Sequence, residues 1–149
     1  MMRVAEPSDY DAVVALLRQM HTEVAVLTVD EPKALGTIRA IVDSRQCLVS
    51  CDDAGQIVGS LGLVFGEPFW YSSDQGLIDK WFYIHPDHRG GNHAQDLILT
   101  AKKMSRIADV PLWVGVSSTK KTVRKMLFLE KYMQPFGGIF YYMPDKDAA

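Results

Sequence analysis

The sequence predicts an α/β (α+β) fold, a mixed central β-sheet with helices on both faces, in the order β-α-α-β-β-β-α-β-α-β. Three observations carry this. Several segments repeat apolar residues at intervals of three and four, the spacing of a helix with one buried face. Residues 46–51 and 56–65 are β-prone runs joined by Asp52-Asp53-Ala54-Gly55, which reads as a hairpin. A strand-like run ending at Ile84 then passes through Pro86 and a basic, glycine-bearing loop into another helical pattern.

Taken in order, residues 2–5 form a short first strand, and Pro7-Ser8-Asp9 supplies a turn with good helix-capping residues. Tyr10, Val13, Val14, Leu16, Leu17 and Met20 make one apolar helix face through about Met20. The run 24–29 is β-prone but equally suits a connection or a short helix, and periodicity does not decide between them. Asp30-Glu31-Pro32 starts a second helix, with proline in the first turn and acids at the positive dipole end. Leu35, Ile38, Ile41 and Val42 form its face to about Ser44. Gly59 and Gly62 in the returning hairpin strand permit a close approach of backbone. Residues 66–76 form an aromatic loop, in which Phe69 and Trp70 either line a groove or cover a core edge. Residues 77–84 are the next strand, carrying Asp79 and Lys80. A long helix follows with Leu97, Ile98, Ala101, Met104, Ile107 and Ala108 as its stripe. The run 110–116 has strand length and reads as buried on both faces. Ser117-Ser118-Thr119 caps a last helix with Val123, Met126, Leu127 and Leu129 as apolar positions, and residues 139–143 supply the final strand.

Size and charge exclude several functions. A chain of 149 residues fits a single domain spanning 1–149. With 48% hydrophobic residues it can pack a core without metal or disulfides. A net charge of −2 provides no global positive field, so neither nucleic acid nor an anionic membrane is an expected partner. Cys47 and Cys51 on one strand would lie roughly 13 Å apart, too far for a disulfide, which points to reduced thiols and a cytoplasmic protein. No apolar run approaches a membrane span, and the first residues show no signal-peptide core. His85, His88 and His93 fall within nine residues, but no cysteine or acid completes a zinc spacing around them, so no metal is expected.

The stretch from Tyr83 to Leu97 is where chemistry concentrates. Successive backbone N–H groups from Arg89 to Ala94 at a helix start can each donate to a pyrophosphate, without a side-chain charge being required. Gly90 and Gly91 remove Cβ atoms that would hold the phosphates away. Asn92 is the non-glycine residue type most willing to adopt a left-handed backbone. With the order of elements around it, this loop resembles the signature of the GCN5-related N-acetyltransferases: arginine or glutamine, two residues, glycine, one residue, then glycine or alanine. Arg89-Gly90-Gly91-Asn92-His93-Ala94 matches the first and last positions and replaces the middle glycine by Asn92. Ile84-His85-Pro86 upstream and Leu97-Ile98 downstream also fit the family.

The resemblance implies transfer of an acetyl group from acetyl-CoA, as co-substrate, to a primary amine of a small molecule, peptide or protein by direct attack on the thioester. It places Arg89, Gly90, Gly91, Asn92, His93 and Ala94 on the coenzyme pyrophosphate. The backbone of Phe82, Tyr83 and Ile84 would lie along the pantetheine arm and help hold the oxyanion, in a gap whose other wall is the strand ending at Val116. An alkyl amine is mostly protonated at neutral pH, so a base is needed, and Asp79 on the strand that would carry the acetyl group is the candidate. Glu67 and Glu23 are weaker candidates on flanking loops. Many relatives protonate the departing thiolate with a tyrosine on the last helix. Phe128 and Leu129 stand at that place here, and Tyr132 follows three or four residues later as the candidate acid. Lys120, Lys121, Arg124 and Lys125 either reach the coenzyme phosphates or form a solvated face. The altered motif, the displaced tyrosine and the Phe69-Trp70-Tyr71 segment keep open an alternative, a catalytically weak or inactive protein of the same fold that acts by protein–protein contact. A monomer and a homodimer are both left open.

Overall fold

A computed structural model describes residues 1–24, 26–118 and 120–144. The chain divides into two compact units, Met1–Gly115 and Val116–Ala149. In the first unit, β1 (Met2–Val4), β2 (Cys47–Cys51), β3 (Ile57–Gly66), β4 (Gly76–Ile84) and β5 (Leu112–Trp113) form one sheet in sequence order. All neighbours are antiparallel except β4 and β5, which are parallel. The helices are α1 (Tyr10–Val24), α2 (Glu31–Asp43) and α3 (His93–Ala108).

Both helix starts near the N-terminus are fixed by capping. Asp9 accepts from the Glu6 N–H at 2.8 Å within a 3-10 turn at Pro7–Asp9, and Arg3 forks onto the same carboxylate at 2.5 and 2.9 Å. Asp30 caps α2 by accepting from the Lys33 N–H, with Pro32 in the first turn as expected. Helix α1 runs four residues beyond Met20, to Val24. No strand or helix forms over 26–29, while Ala25 lies outside the described residues.

The sheet is covered on both faces, which is why every residue of β2 is buried. Val13, Leu17, Ile38, Ile41 and Val42 from α1 and α2 pack with Cys47, Val49 and Trp81 on one face. On the other, Leu97, Ile98 and Ala101 of α3 are buried, and Ser50 meets His93. Cys47 and Cys51 are buried free thiols, and burial pushes the Cys47 thiol up to about 11, which leaves it unreactive at neutral pH. Gly62 admits a side chain rather than a backbone. The Trp81 indole lies where a Cβ would stand, 2.4 Å from its ring atoms, and donates from Nε1 to Ser60 Oγ at 2.9 Å.

Three expectations are corrected. The run 110–116 yields only a two-residue, half-buried strand at the sheet edge instead of a strand buried on both faces. Its ladder with β4 covers Leu77↔Leu112 and Ile78↔Trp113, after which the Gly115 N–H turns to the Asp79 side chain. In the second unit, α4 begins at Thr122, with Lys121 in a left-handed conformation and no side-chain cap. Thr119 of the expected cap is outside the described residues, and Ser118 instead accepts from the Lys120 N–H and the Lys125 ammonium. The apolar positions Val123, Met126 and Leu127 are exposed. No strand forms over 139–143, where Ile139 and Phe140 are 93% and 98% exposed. A β-prone run becomes a strand only when another strand takes its backbone groups.

Candidate functional site

The site begins where β4 loses one of its neighbours. Near its start β4 is hydrogen-bonded on both sides, with the Leu77 N–H donating to the Pro111 carbonyl at 2.9 Å. From Trp81 to Ile84, among the described residues, no strand besides β3 pairs with it. A register shift opposite Gly62 and Leu63 leaves Lys80 as an extra residue, a bulge that bends the strand at the place where β5 departs.

Alternation then decides which backbone groups face the opening. The His85 N–H donates to the Val58 carbonyl at 2.8 Å, so the pair in register with it exchanges hydrogen bonds, the Ile84–Gly59 pair does not, and the pattern alternates back along the strand. The N–H and C=O of Phe82 and Ile84 therefore point away from β3, where the Ile84 carbonyl accepts from Arg89 Nε, and those of Tyr83 point to β3. Of the three backbones expected along a bound arm, those of Phe82 and Ile84 turn away from β3 and that of Tyr83 does not. The Tyr83 side chain goes instead to the α1 side, where its hydroxyl donates to Glu23 at 2.7 Å.

After β4, a 3-10 turn at Pro86–His88 leads to the loop. Gly90 has φ +97°, the left-handed region that glycine alone enters freely, whereas Asn92 has φ −89°. The left-handed role foreseen for Asn92 is thus taken by Gly90. Asn92 is the N-cap residue of α3, its carbonyl accepting from the Asp96 N–H at 2.9 Å, and its side chain makes no capping bond. Among the described residues, no protein acceptor takes the N–H groups of Gly90, Gly91, Asn92, His93 and Ala94. These donors at the positive end of a 16-residue helix are an anion site in waiting. The His93 ring is engaged elsewhere, its Nδ1 bonded with the buried Ser50 hydroxyl at 2.8 Å, which pins the helix start to β2.

Arg89 is the largest surprise of the loop. Its Nη atoms fork onto the Glu23 carboxylate at 2.7 and 2.9 Å, and its Nε donates to the Ile84 carbonyl at 2.9 Å. Its guanidinium also lies 5.2 Å from the centroid of the Tyr83 ring. Only the Arg89 backbone belongs to the anion-binding turn, and its own N–H is already used by Pro86. No sequence signal announces Glu23 as its partner, 66 residues away.

Asp79 sits next to the bulge, half-buried, with Oδ1 accepting from the Gly115 N–H at 3.0 Å. Burial raises its carboxyl above the ordinary range, partly offset by that hydrogen bond. A carboxylate raised by burial binds a proton more readily than an exposed one, which makes Asp79 the stronger base of the candidates. Glu23, by contrast, is committed to Arg89 and Tyr83. In the second unit, Tyr132 follows α4, its N–H bonded to the Leu129 carbonyl and its ring 5.2 Å from that of Phe128.

Of the two roles foreseen for the aromatic loop, the contacts of Phe69 fit the covering of an edge. Phe69 covers an edge, with its ring 4.9 Å from Trp113 and 5.6 Å from Tyr71, while Trp70 is 96% exposed. An open concavity of about 440 Å³ lined by Met1, Cys51, Asp52, Asp53, Ala54, His88 and His93 lies on the β2–β3 turn. Its carboxylates repel a phosphate, so the β4 edge and the loop N–H groups are the better anion path. Among the described residues, no helix is long and apolar enough to cross a membrane, and no group of three or more His, Cys, Asp or Glu is placed to hold a metal ion.

No protein-family model matches the sequence, and no curated protein matches it. Solved structures do. Ribosomal-protein-alanine N-acetyltransferase from Brucella melitensis biovar Abortus 2308 is similar with a TM-score of 0.70 and 16% identity, over 97% of this chain and 98% of that one. An acetyltransferase from Trypanosoma brucei gives 0.65 and 18%, over 97% and 99%. AAC(6')-Iy in complex with the bisubstrate analogue CoA-S-monomethyl-acetylneamine gives 0.73 and 12%, over 97% of both chains. At these identities the likeness is one of fold, and over nearly its whole length this chain carries the fold of the GCN5-related N-acetyltransferases.

Proposed function

We propose that this protein is a cytoplasmic N-acetyltransferase that moves an acetyl group from acetyl-CoA to a primary amine. The observation that carries the reading is the run of unclaimed N–H groups from Gly90 to Ala94 at the start of α3, next to a strand whose edge opens over the same stretch. The pyrophosphate would take those N–H groups, and the pantetheine arm would lie along β4, where the Ile84 N–H points away from β3 while the Ile84 carbonyl is held by Arg89. The amine nitrogen attacks the thioester carbon while Asp79 accepts its proton. The oxyanion gains a backbone N–H from the β4 edge, the carbon–sulfur bond breaks, and its electron pair leaves on sulfur. The thiolate regains a proton from water, a small demand because a thiol ionises near about 8.5.

The acceptor class stays at primary amine. The similar structures include a ribosomal-protein-alanine enzyme and aminoglycoside acetyltransferases, so the fold accommodates both protein and small-molecule amines. Trp70, almost wholly exposed on an otherwise anchored loop, favours a second reading in which the fold serves as a binding module.

Thermal unfolding separates the two. Acetyl-CoA at a hundredfold excess over its dissociation constant stabilises the folded state by about 2.7 kcal/mol, an expected rise of about 5–10 °C in Tm for a chain of this size. No rise with acetyl-, succinyl- or free coenzyme A rejects the transferase reading.

A further inference from the structure

We infer that Glu23 is a positioning residue for the coenzyme loop, acting through Arg89. This rests on the transferase reading for its ligand but not for its structural content. Glu23 is the penultimate residue of α1. Through its carboxylate that helix end is tied to the first residue of the loop by a two-bond fork from Arg89, and to β4 by the Tyr83 hydroxyl. Arg89 closes the figure by donating Nε to the Ile84 carbonyl. The end of α1, some sixty residues earlier in the chain, is thereby held at a fixed separation from the last residues of β4 and the start of the loop.

The geometry assigns Arg89 a role that its charge alone does not. A basic residue opening an anion loop is expected to reach for the phosphate, yet here the guanidinium is folded back and each of its three nitrogens is engaged. The turn that follows contains Gly90 and Gly91, the residues with the most backbone freedom to lose. Converging N–H donors are effective only when they are held in place before the ligand arrives. An arginine–carboxylate fork with the partners 30% and 17% exposed is stronger than a surface pair, though still partly screened. It acts at the residue adjoining Gly90, where it restricts the turn most directly.

The test compares wild type with Glu23→Gln in three measurements. Calorimetric titration with coenzyme A should show about a tenfold weaker dissociation constant for Glu23→Gln, the loss of roughly one charge-assisted contact. In turnover, KM for acetyl-CoA should rise by more than kcat falls. In the coenzyme-free proteins, ¹⁵N relaxation order parameters of residues 89–94 should fall from about 0.85 toward about 0.6 in the variant. Arg89→Lys, which keeps the charge and loses the fork, should behave like Glu23→Gln. Unchanged affinity with unchanged order parameters overturns the inference. So does tighter binding by Glu23→Gln, which would mean that Glu23 withholds Arg89 from the phosphates. If wild type binds no coenzyme A, the transferase reading fails, and the order parameters alone decide the role of Glu23. If Glu23→Gln does not fold, Tyr83→Phe, which removes one bond to Glu23 and no charge, replaces it in all three measurements.

Discussion

The two halves of β4 are one strand in two environments. Over Gly76–Asp79 it is flanked by β3 and β5, and the Leu77 N–H is taken by Pro111. From Trp81 to Ile84 it keeps β3 and loses β5, so the backbone groups of Phe82 and Ile84 that turn away from β3 have no strand to pair with among the described residues. The residues that separate the halves are Asp79, whose carboxylate takes the Gly115 N–H, and Lys80, the extra residue of the bulge. A sheet needs its edges paired, covered or short. The proposed coenzyme site rests on this change of neighbours in mid-strand beside a loop of free N–H groups. The closed half supplies rigidity, and the open half supplies hydrogen-bonding groups.

The comparison is broken most severely at its boundary. Asp79→Asn keeps an acceptor for Gly115 but removes the base, so steady-state acetyl transfer should fall about a hundredfold or more while coenzyme A affinity, read by titration, is retained. Equal turnover would dismiss Asp79 as base. In wild type, kcat/KM should climb as pH rises through the raised carboxyl, and this limb should vanish in the variant. The stability sign is opposite. Because the folded-state value lies above that of the unfolded chain, the contribution of Asp79 to folding is present at low pH and lost as pH rises through the raised value. Thermal melts should therefore find Asp79→Asn at least as stable as wild type at neutrality, the difference closing by about pH 4.

A smaller effect sharpens the contrast between the halves through β3. Gly62 faces the open half across Trp81, and an added Cβ would stand 2.4 Å from the indole. Gly62→Ala should cost about 1–3 kcal/mol by overpacking, seen as a fall of several degrees in Tm. Gly66→Ala, opposite the closed half, meets only Ile78 at 3.5 Å and should leave Tm within about a degree. Equal losses at the two glycines would show that Trp81 does not fix the geometry of the open half.

The smallest effect lies away from the opening and serves as its control. Asp9 takes the Arg3 fork and the Glu6 N–H, and the Arg3 hydrogen bond holds its carboxyl below the usual range. This contribution is present above the ordinary aspartate value and is lost as pH falls through the lowered one. Asp9→Asn should cost about 1 kcal/mol at pH 7, with the gap in Tm narrowing in acid and coenzyme A affinity unaltered. An affinity loss equal to that of Glu23→Gln would show that any weakening of the first unit disturbs the loop.

Much of the site was readable because its chemistry is local. Gly90 and Gly91 before a helical stripe are enough to expect free N–H donors, and Asp30 with Pro32 is enough to start α2. The misreadings share one cause. Residues 110–116 and 139–143 have β-forming composition, yet strand formation depends on a partner that composition does not contain. Asn92 was expected to turn left-handed because its residue type tolerates that conformation, but Gly90, two residues earlier, already reverses the chain. The apolar positions of α4 match a helix without specifying what covers them.

By itself, the sequence determined the helices of the first unit, the β2–β3 hairpin and the free N–H donors of residues 90–94, since each follows from periodicity, capping or glycine within a few residues. Only the tertiary structure decided that β5 leaves β4 at Asp79, that the backbone groups of Phe82 and Ile84 rather than Tyr83 turn away from β3, and that Arg89 is held by Glu23 instead of reaching outward. Those three outcomes depend on registers and ion pairs between distant segments, and such partners are chosen by packing, which no local pattern records.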